Sequence, residues 1–201
     1  DVIFTYDFDC VARYKYFLKH NNVYFLPMAA QPRQFNPIER YERKDAFCFA
    51  GSYYVRYPER TKDLDDFIKY FPEYKPVDIY DRQHGKEDQN YAFPEQFTPF
   101  IQGGLPYDQI DKAYKGYSVA INLNSIKQAQ SLARRVYELL ACNTVIVSNF
   151  SRGVRTQVGD LVIMSDSGKE IVDRLRRLEV DSDMLPRLRL AGLRKVMGES
   201  L

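Results

Sequence analysis

Three stretches of the chain combine residue types that could do chemistry. "FAGSYYVRYPER", residues 49–60, sets Gly51 and Ser52 at the end of an apolar run and then Arg56 and Arg60, four apart, at the start of a helical pattern. A helix N-terminus offers free N–H groups and a partial positive charge, and a guanidinium can hold two phosphate oxygens at once, so this composition suits a diphosphate clamp. The same spacing also lets Arg60 pair with Glu59 or Asp63 on a solvated turn. "IQGGLPY", residues 101–107, places Gln102, Gly103, Gly104 and Leu105 in a loop where two glycines permit close approach of a ligand or serve only a turn. "SLARRVYELLACN", residues 131–143, puts Glu138 on a helix with Arg134 and Arg135. By spacing alone Glu138 forms an ordinary i,i+4 surface pair with Arg134. There is no GxGxxG and no GxxxxGK followed by Ser or Thr, so dinucleotide and P-loop chemistries are disfavoured.

The elements that must position these residues alternate along the chain. "DVIFT" reads as a strand, "DFDCVARYKYFLKHN" as a helix with Asp7 or Asp9 near its start, and "NVYFLP" as a strand, which makes one β-α-β unit. "MAAQPRQFNPIERYERKD", with Pro32 and Pro37 and little periodicity, reads as a linker. Beyond it come a buried strand in "DAFCFAG", a helix with Leu64, Phe67, Ile68 and Phe71 on one face, the strand "VDIYD", and a long loop from Arg82 to about Phe100. A short helix in "PYDQIDKAYKGY" and the strand "SVAINLN" precede a helix over "QAQSLARRVYELLAC", whose Ala129, Leu132, Ala133, Val136, Leu139 and Leu140 form the apolar seam. Strands in "TVIVSN" and "DLVIMS" and two terminal helices complete the order. Strands alternating with helices predict a doubly wound α/β fold with a parallel sheet, whose ligand sits beyond the carboxyl ends of the strands. All three stretches fall there. Asn143 stands where a helix-ending Gly is usual, and Asn is the next best residue for that left-handed position.

Composition limits the partners. The 201 residues are 45% hydrophobic, with 29 Lys and Arg against 27 Asp and Glu, so a net charge of +2 gives no bulk reason to expect nucleic acid. Cys10, Cys48 and Cys142 show no paired spacing and predict buried, reduced thiols in a cytosolic protein. No apolar run approaches the roughly 20 residues that span a bilayer. The two histidines, His20 and His84, have no companions at metal spacing, so no metal site is expected. The basic C-terminal segments "RLRRL" and "RLRLAGLRK" suit either peripheral contact with an acidic membrane or a solvated helix face.

Taken together, "RRVYELLACNTVIVSNFSRGVRTQVGDLVI", "FAGSYYVRYPER" and "DKAYKGYSVAINLN" resemble the C-terminal domain of GT-B glycosyltransferases of the family 4 (group 1) kind, with the CgeB-type spore-maturation enzymes nearest. The resemblance implies a Rossmann-like half of a GT-B fold in a bacterial protein, organised as residues 1–30 from the N-terminal acceptor domain, 31–44 as interdomain linker and 45–201 as the nucleotide-sugar domain. It implies transfer of a sugar from a UDP-, GDP- or TDP-linked donor to an acceptor hydroxyl on a glycan, protein or lipid, without metal or cofactor and with retention of configuration.

Glu138 matches the second glutamate of the family's E-x7-E motif, which accepts hydrogen bonds from the ribose hydroxyls, whereas Gln130 stands where the first glutamate would be. The N–H groups near Ser131, Leu132 and Ala133, with Arg135, match the family's diphosphate-facing helix start; Gly51, Ser52, Arg56 and Arg60 match the glycine loop opposite; Gln102 to Leu105 match the nucleobase loop. The starting "DVIFTYD", already strand-like, suggests a piece of a longer protein, one that binds the donor weakly alone and transfers little or nothing. Gln130 keeps a non-catalytic relative open as an alternative, and a nucleotide-sugar epimerase is a third.

Overall fold

The computed structural model describes residues 1–199; Ser200 and Leu201, with which the expected nucleotide-sugar domain ends, lie outside the described residues. Strand β1 (Ile3–Thr5), helix α1 (Phe8–Leu18) and strand β2 (Val23–Phe25) form the expected β-α-β unit, with β1 and β2 parallel. Asp7 caps α1, accepting from the Asp9 N–H at 3.1 Å.

The larger unit begins with β3 (Lys44–Gly51), at the last residue of the expected linker. It continues through α2 (Pro58–Tyr70), β4 (Val77–Asp81), β5 (Ile101–Gly103), α3 (Asp111–Lys115), β6 (Tyr117–Asn122), α4 (Arg134–Ala141), β7 (Val145–Ser148), α5 (Arg152–Gln157), β8 (Ile163–Met164), α6 (Gly168–Glu179) and α7 (Met184–Glu199). The six strands lie in the order β5-β4-β3-β6-β7-β8, and every neighbouring pair is parallel. The order reverses between β3 and β6. A doubly wound sheet opens a crevice at that point, outside the carboxyl ends of its strands.

Alternation along β3 decides what covers each face. Phe47 and Phe49 turn to one side, where Leu64, Phe67 and Phe71 of α2 and its end meet Ile171 and Leu175 of α6. The Phe47 and Phe71 rings stack at 4.2 Å between centroids. Ala46, Cys48 and Ala50 turn to the other side, and these small residues receive α3 and α4. Both faces are therefore dry, as a parallel sheet requires. Phe35 anchors the linker by burying its ring completely beside Tyr114 of α3.

Three expectations need correction. The helix around Glu138 does not start near Gln128 but at Arg134, because the preceding carbonyls are spent elsewhere: Lys127 and Ala129 accept from the N–H groups of Arg152 and Gly153, and Gln130 accepts from Gln157 Nε2 at 2.7 Å. Gly153 is needed for that packing, since a Cβ there would fall 2.3 Å from the Ser131 carbonyl. "DLVIMS" gives only the two-residue β8, and the turn before it is the short helix α5, capped by Ser151. The loop from Arg82 to Phe100 ends in a 3-10 turn over Glu95–Phe100 that delivers the unanticipated edge strand β5. Asn143 does take the left-handed conformation, at φ +54°, and ends α4 with the Thr144 N–H bonded to the Leu139 carbonyl and the Asn143 N–H to that of Leu140.

Candidate functional site

A cleft of about 890 Å³ lies where the strand order reverses. Its floor is the end of β3, Ala50 and Gly51, and the end of β6 running into Leu123, Asn124 and Ser125. One wall is the extended strap before α4 and the first turns of that helix; the other is Tyr80, Arg82, Leu105, Tyr107 and Ile110. Tyr6 and Asp7 of the β-α-β unit and Met28 of the linker reach its rim.

A buried polar network fixes the strap. Asn149 Oδ1 accepts from the Asn124 N–H at 2.8 Å, and its Nδ2 donates to Asp63 at 2.7 Å. Lys127 reaches Asp63 at 2.8 Å and Asp166 at 3.0 Å. Side chains from α2, β7 and the β8–α6 turn thus hold the backbone that ends at Arg134. Helix α4 starts there with no side-chain cap on Ala133, and its first residues, Arg134 and Arg135, line the cleft, while the Val136 N–H bonds the Ala133 carbonyl at 2.9 Å.

Glu138 is 2% exposed, yet its carboxylate lines the cleft. Its Oε1 accepts from Arg134 Nε at 2.7 Å and from the Tyr107 hydroxyl at 3.3 Å. Burial pushes its pKa above the usual carboxylate range, against the opposing pull of Arg134 and Arg135. The i,i+4 pair foreseen from spacing is formed, but it is set in the cleft wall with one partner buried.

Arg60 is also 2% exposed, and it does not pair with Glu59 or Asp63: Asp63 belongs to Lys127, and Arg60 donates to the Ser52 carbonyl at 3.0 Å. Its guanidinium stands over the Tyr54 ring at 4.7 Å and the Phe49 ring at 5.7 Å. Arg135 stands over the same Phe49 ring at 5.8 Å. Burial first, and the Arg135 charge second, bring the Arg60 pKa down to about 10. No ion pair of Arg60 is found among the described residues. A buried cation beside a second cation, without a carboxylate, is an arrangement that favours an anion.

Of the residues singled out in the sequence, the structure brings Gly51, Leu105, Ser131, Leu132, Ala133, Arg135 and Glu138 to the cleft. Arg60 and Ser52 stand just behind its floor, the Ser52 hydroxyl buried and without a hydrogen-bond partner. Arg56 is turned away, exposed and stacked on Tyr57 at 4.8 Å. Gln102 is exposed and bonded to the Phe100 carbonyl; Gly103, at φ +102°, and Gly104 turn the chain so that Leu105 faces inward. Gln130 lies outside the cleft wall, its amide donating to Asp9 of α1 at 2.8 Å. Sequence reasoning missed Tyr80 and Arg82, whose only signal was their place at the end of a strand next to the switch point.

The described residues contain no group of three His, Cys, Asp or Glu able to hold a metal ion, and no helix long and apolar enough to cross a membrane. The three cysteines are free.

The six-stranded parallel sheet is the α/β, Rossmann-like fold of GT-B glycosyltransferases, and solved structures agree on the fold. The chain is similar to sucrose-phosphate synthase from Thermosynechococcus elongatus, with a TM-score of 0.68, 11% identity, and coverage of 100% of this chain and 54% of that one. A glycosyltransferase from Rickettsia africae ESF-5 gives 0.65 at 10% identity, covering 100% and 59%. A mutant of S. aureus TarM in complex with Fondaparinux, alpha-GlcNAc-glycerol and UDP gives 0.65 at 7% identity, covering 100% and 41%. The chain spans roughly half the length of these structures. No curated protein matches by sequence. The family model described as "Glycosyl transferase-like" matches residues 79–200, more than half of the chain, and the chain belongs to that family.

Proposed function

We propose that the cleft binds a nucleotide-diphosphate sugar and that the protein transfers the sugar to an acceptor hydroxyl. One observation carries the reading: the buried, carboxylate-free Arg60 shares the Phe49 ring with Arg135, beside the uncapped start of α4. Arg135 at the cleft, the buried positive charge of Arg60 behind its floor and the start of a helix together suit a diphosphate. As the glycosidic bond breaks, negative charge gathers on the leaving diphosphate, and these fixed charges stabilise it where it forms. They move little, because Arg60 is buried and α4 is held by the strap. Glu138 takes the ribose hydroxyls, and Leu105 with Ile110 supplies an apolar wall for the base.

The facing acceptor side is assigned to a second domain, with Tyr6 and Asp7 at the rim as its first residues, and donor binding by this chain alone is expected to be weak. Retention of configuration and kinship to the CgeB-type enzymes rest on resemblance. The free cysteines favour a reducing, cytosolic setting.

Thermal unfolding in the presence of UDP, GDP and TDP tests the reading. One of the three is expected to raise the midpoint, and Glu138→Ala is expected to abolish the rise. No stabilisation by any of them at millimolar concentration sinks it. A second reading, a non-catalytic relative, is favoured by the Gln130 side chain being engaged with Asp9 instead of facing the donor. It expects protection by nucleotide but no donor hydrolysis or transfer with any acceptor.

A further inference from the structure

The Glu138 carboxylate, assigned to ribose, is already occupied. Arg134 Nε and the Tyr107 hydroxyl both donate to Oε1, and the Arg134 guanidinium lies over the Tyr107 ring at 5.0 Å. A carboxylate this deep needs such partners, because a buried charge without them is costly. A ribose hydroxyl that approaches Oε1 therefore meets Arg134 already there. Arg134 is free to yield: its side chain is 51% exposed, against 3% for Glu138, and it sits on the first residue of α4. From that position a change of rotamer carries the guanidinium one turn back, to the uncapped N-terminus beside Arg135.

Resting on the donor-binding reading above, we propose that Arg134 is an exchangeable counter-ion, neutralising Glu138 in the empty cleft and moving onto the donor's diphosphate when ribose takes its place. The exchange moves one positive charge from Glu138 to the diphosphate and leaves the carboxylate held by hydrogen bonds from ribose instead of by a cation. Glu138 trades one cation for two hydroxyl donors, and the diphosphate gains a third guanidinium beside those of Arg135 and Arg60. Empty and loaded clefts are both satisfied, so the site does not pay for a naked carboxylate while it waits. A fixed surface pair would instead hold Arg134 on Glu138 throughout and give the diphosphate nothing.

A double-mutant cycle separates the two. Affinity for whichever of UDP, GDP or TDP protects the wild-type chain is measured by calorimetry for wild type, Arg134→Met, Glu138→Gln and the double variant, at two salt concentrations. Methionine keeps the unbranched stem, and circular dichroism with the thermal midpoint confirms folding of each variant. Exchange predicts that Arg134→Met weakens binding by about tenfold, as loss of one charge-assisted phosphate contact does. It also predicts that this loss persists in the Glu138→Gln background, with a shallower dependence on salt. Unchanged affinity in Arg134→Met, or a loss that vanishes once Glu138 is replaced, overturns the proposal and makes Arg134 only the partner that positions Glu138. A wild-type chain that takes none of the three nucleotides refutes the donor reading itself, and this one with it.

Discussion

The two α/β units of the molecule are built from the same grammar and end in opposite states. In the larger one Phe47, Phe49, Phe67 and Leu139 are fully buried, because helices cover both faces of six strands. In the smaller one α1 buries no residue, and Phe4, Tyr6, Phe8, Tyr16, Phe17, Tyr24 and Leu26 are all exposed around a two-stranded sheet. Local pattern suffices to write a helix and two strands. Burial needs a second layer, and only the larger unit has one in this structure. The smaller unit meets the site through the hydrogen bond from Gln130 to Asp9 and the rim residues Tyr6 and Asp7.

The sharpest way to break that comparison is to truncate one residue in each unit. Leu139→Ala is expected to cost about 2–5 kcal/mol by leaving a cavity under α4, read as a lower urea midpoint. Phe17→Ser, at a side chain 75% exposed, is expected to stay within about 0.5 kcal/mol. A comparable loss at Phe17 would mean that its unit is covered in solution, and the contrast between the units would fall.

The same contrast explains what could be read from sequence alone. Alternation of small and large residues in "DAFCFAG" and the seam of Leu64, Phe67 and Phe71 were legible because burial on a sheet imposes period on the chain. The parallel, doubly wound sheet followed from the alternation of strands and helices, but its strand order and switch point did not. The strap before α4 was not legible: Ala129, Leu132 and Ala133 keep a helical rhythm, but the carbonyls of Lys127, Ala129 and Gln130 are claimed by α5, a contact 20 or so residues away that no local pattern records. The pairing of Asp63 with Lys127 instead of Arg60 is likewise tertiary. Gly51, Arg56 and Arg60 were singled out by residue type and spacing, and Arg135, Glu138 and Gln130 by the resemblance; the fold brings Gly51, Arg135 and Glu138 to the cleft and turns Arg56 and Gln130 aside.

Within the larger unit, Glu138 marks where function opposes burial. Its pKa is raised by burial, so the folded chain holds its proton more tightly than the unfolded chain does. Stability is then greatest when the group is protonated in both states, and falls as pH rises from the ordinary carboxylate value through the raised one. Glu138→Gln is expected to be more stable than wild type at neutral pH, with the difference closing as pH falls through the raised value to the ordinary carboxylate one, because Arg134, half exposed, returns to solvent at little cost. Thermal midpoints of both proteins across that range check it. A variant less stable than wild type at neutral pH would mean that the pair with Arg134 outweighs the burial of the carboxylate.

The last effect belongs to the contact between the two units. Gln130→Ala removes the 2.8 Å hydrogen bond to Asp9 and is expected to cost about 0.5–1.5 kcal/mol, since Asp9 is only partly buried and water replaces the amide. Donor affinity should not change, because the side chain is outside the cleft wall while the Gln130 carbonyl that holds Gln157, and with it the strap, is untouched. Amide exchange should quicken in α1 and not in α4. If affinity instead fell about tenfold, Gln130 would have to leave Asp9 and turn to the donor when the cleft fills, and the smaller unit would be a working part of the site rather than its rim.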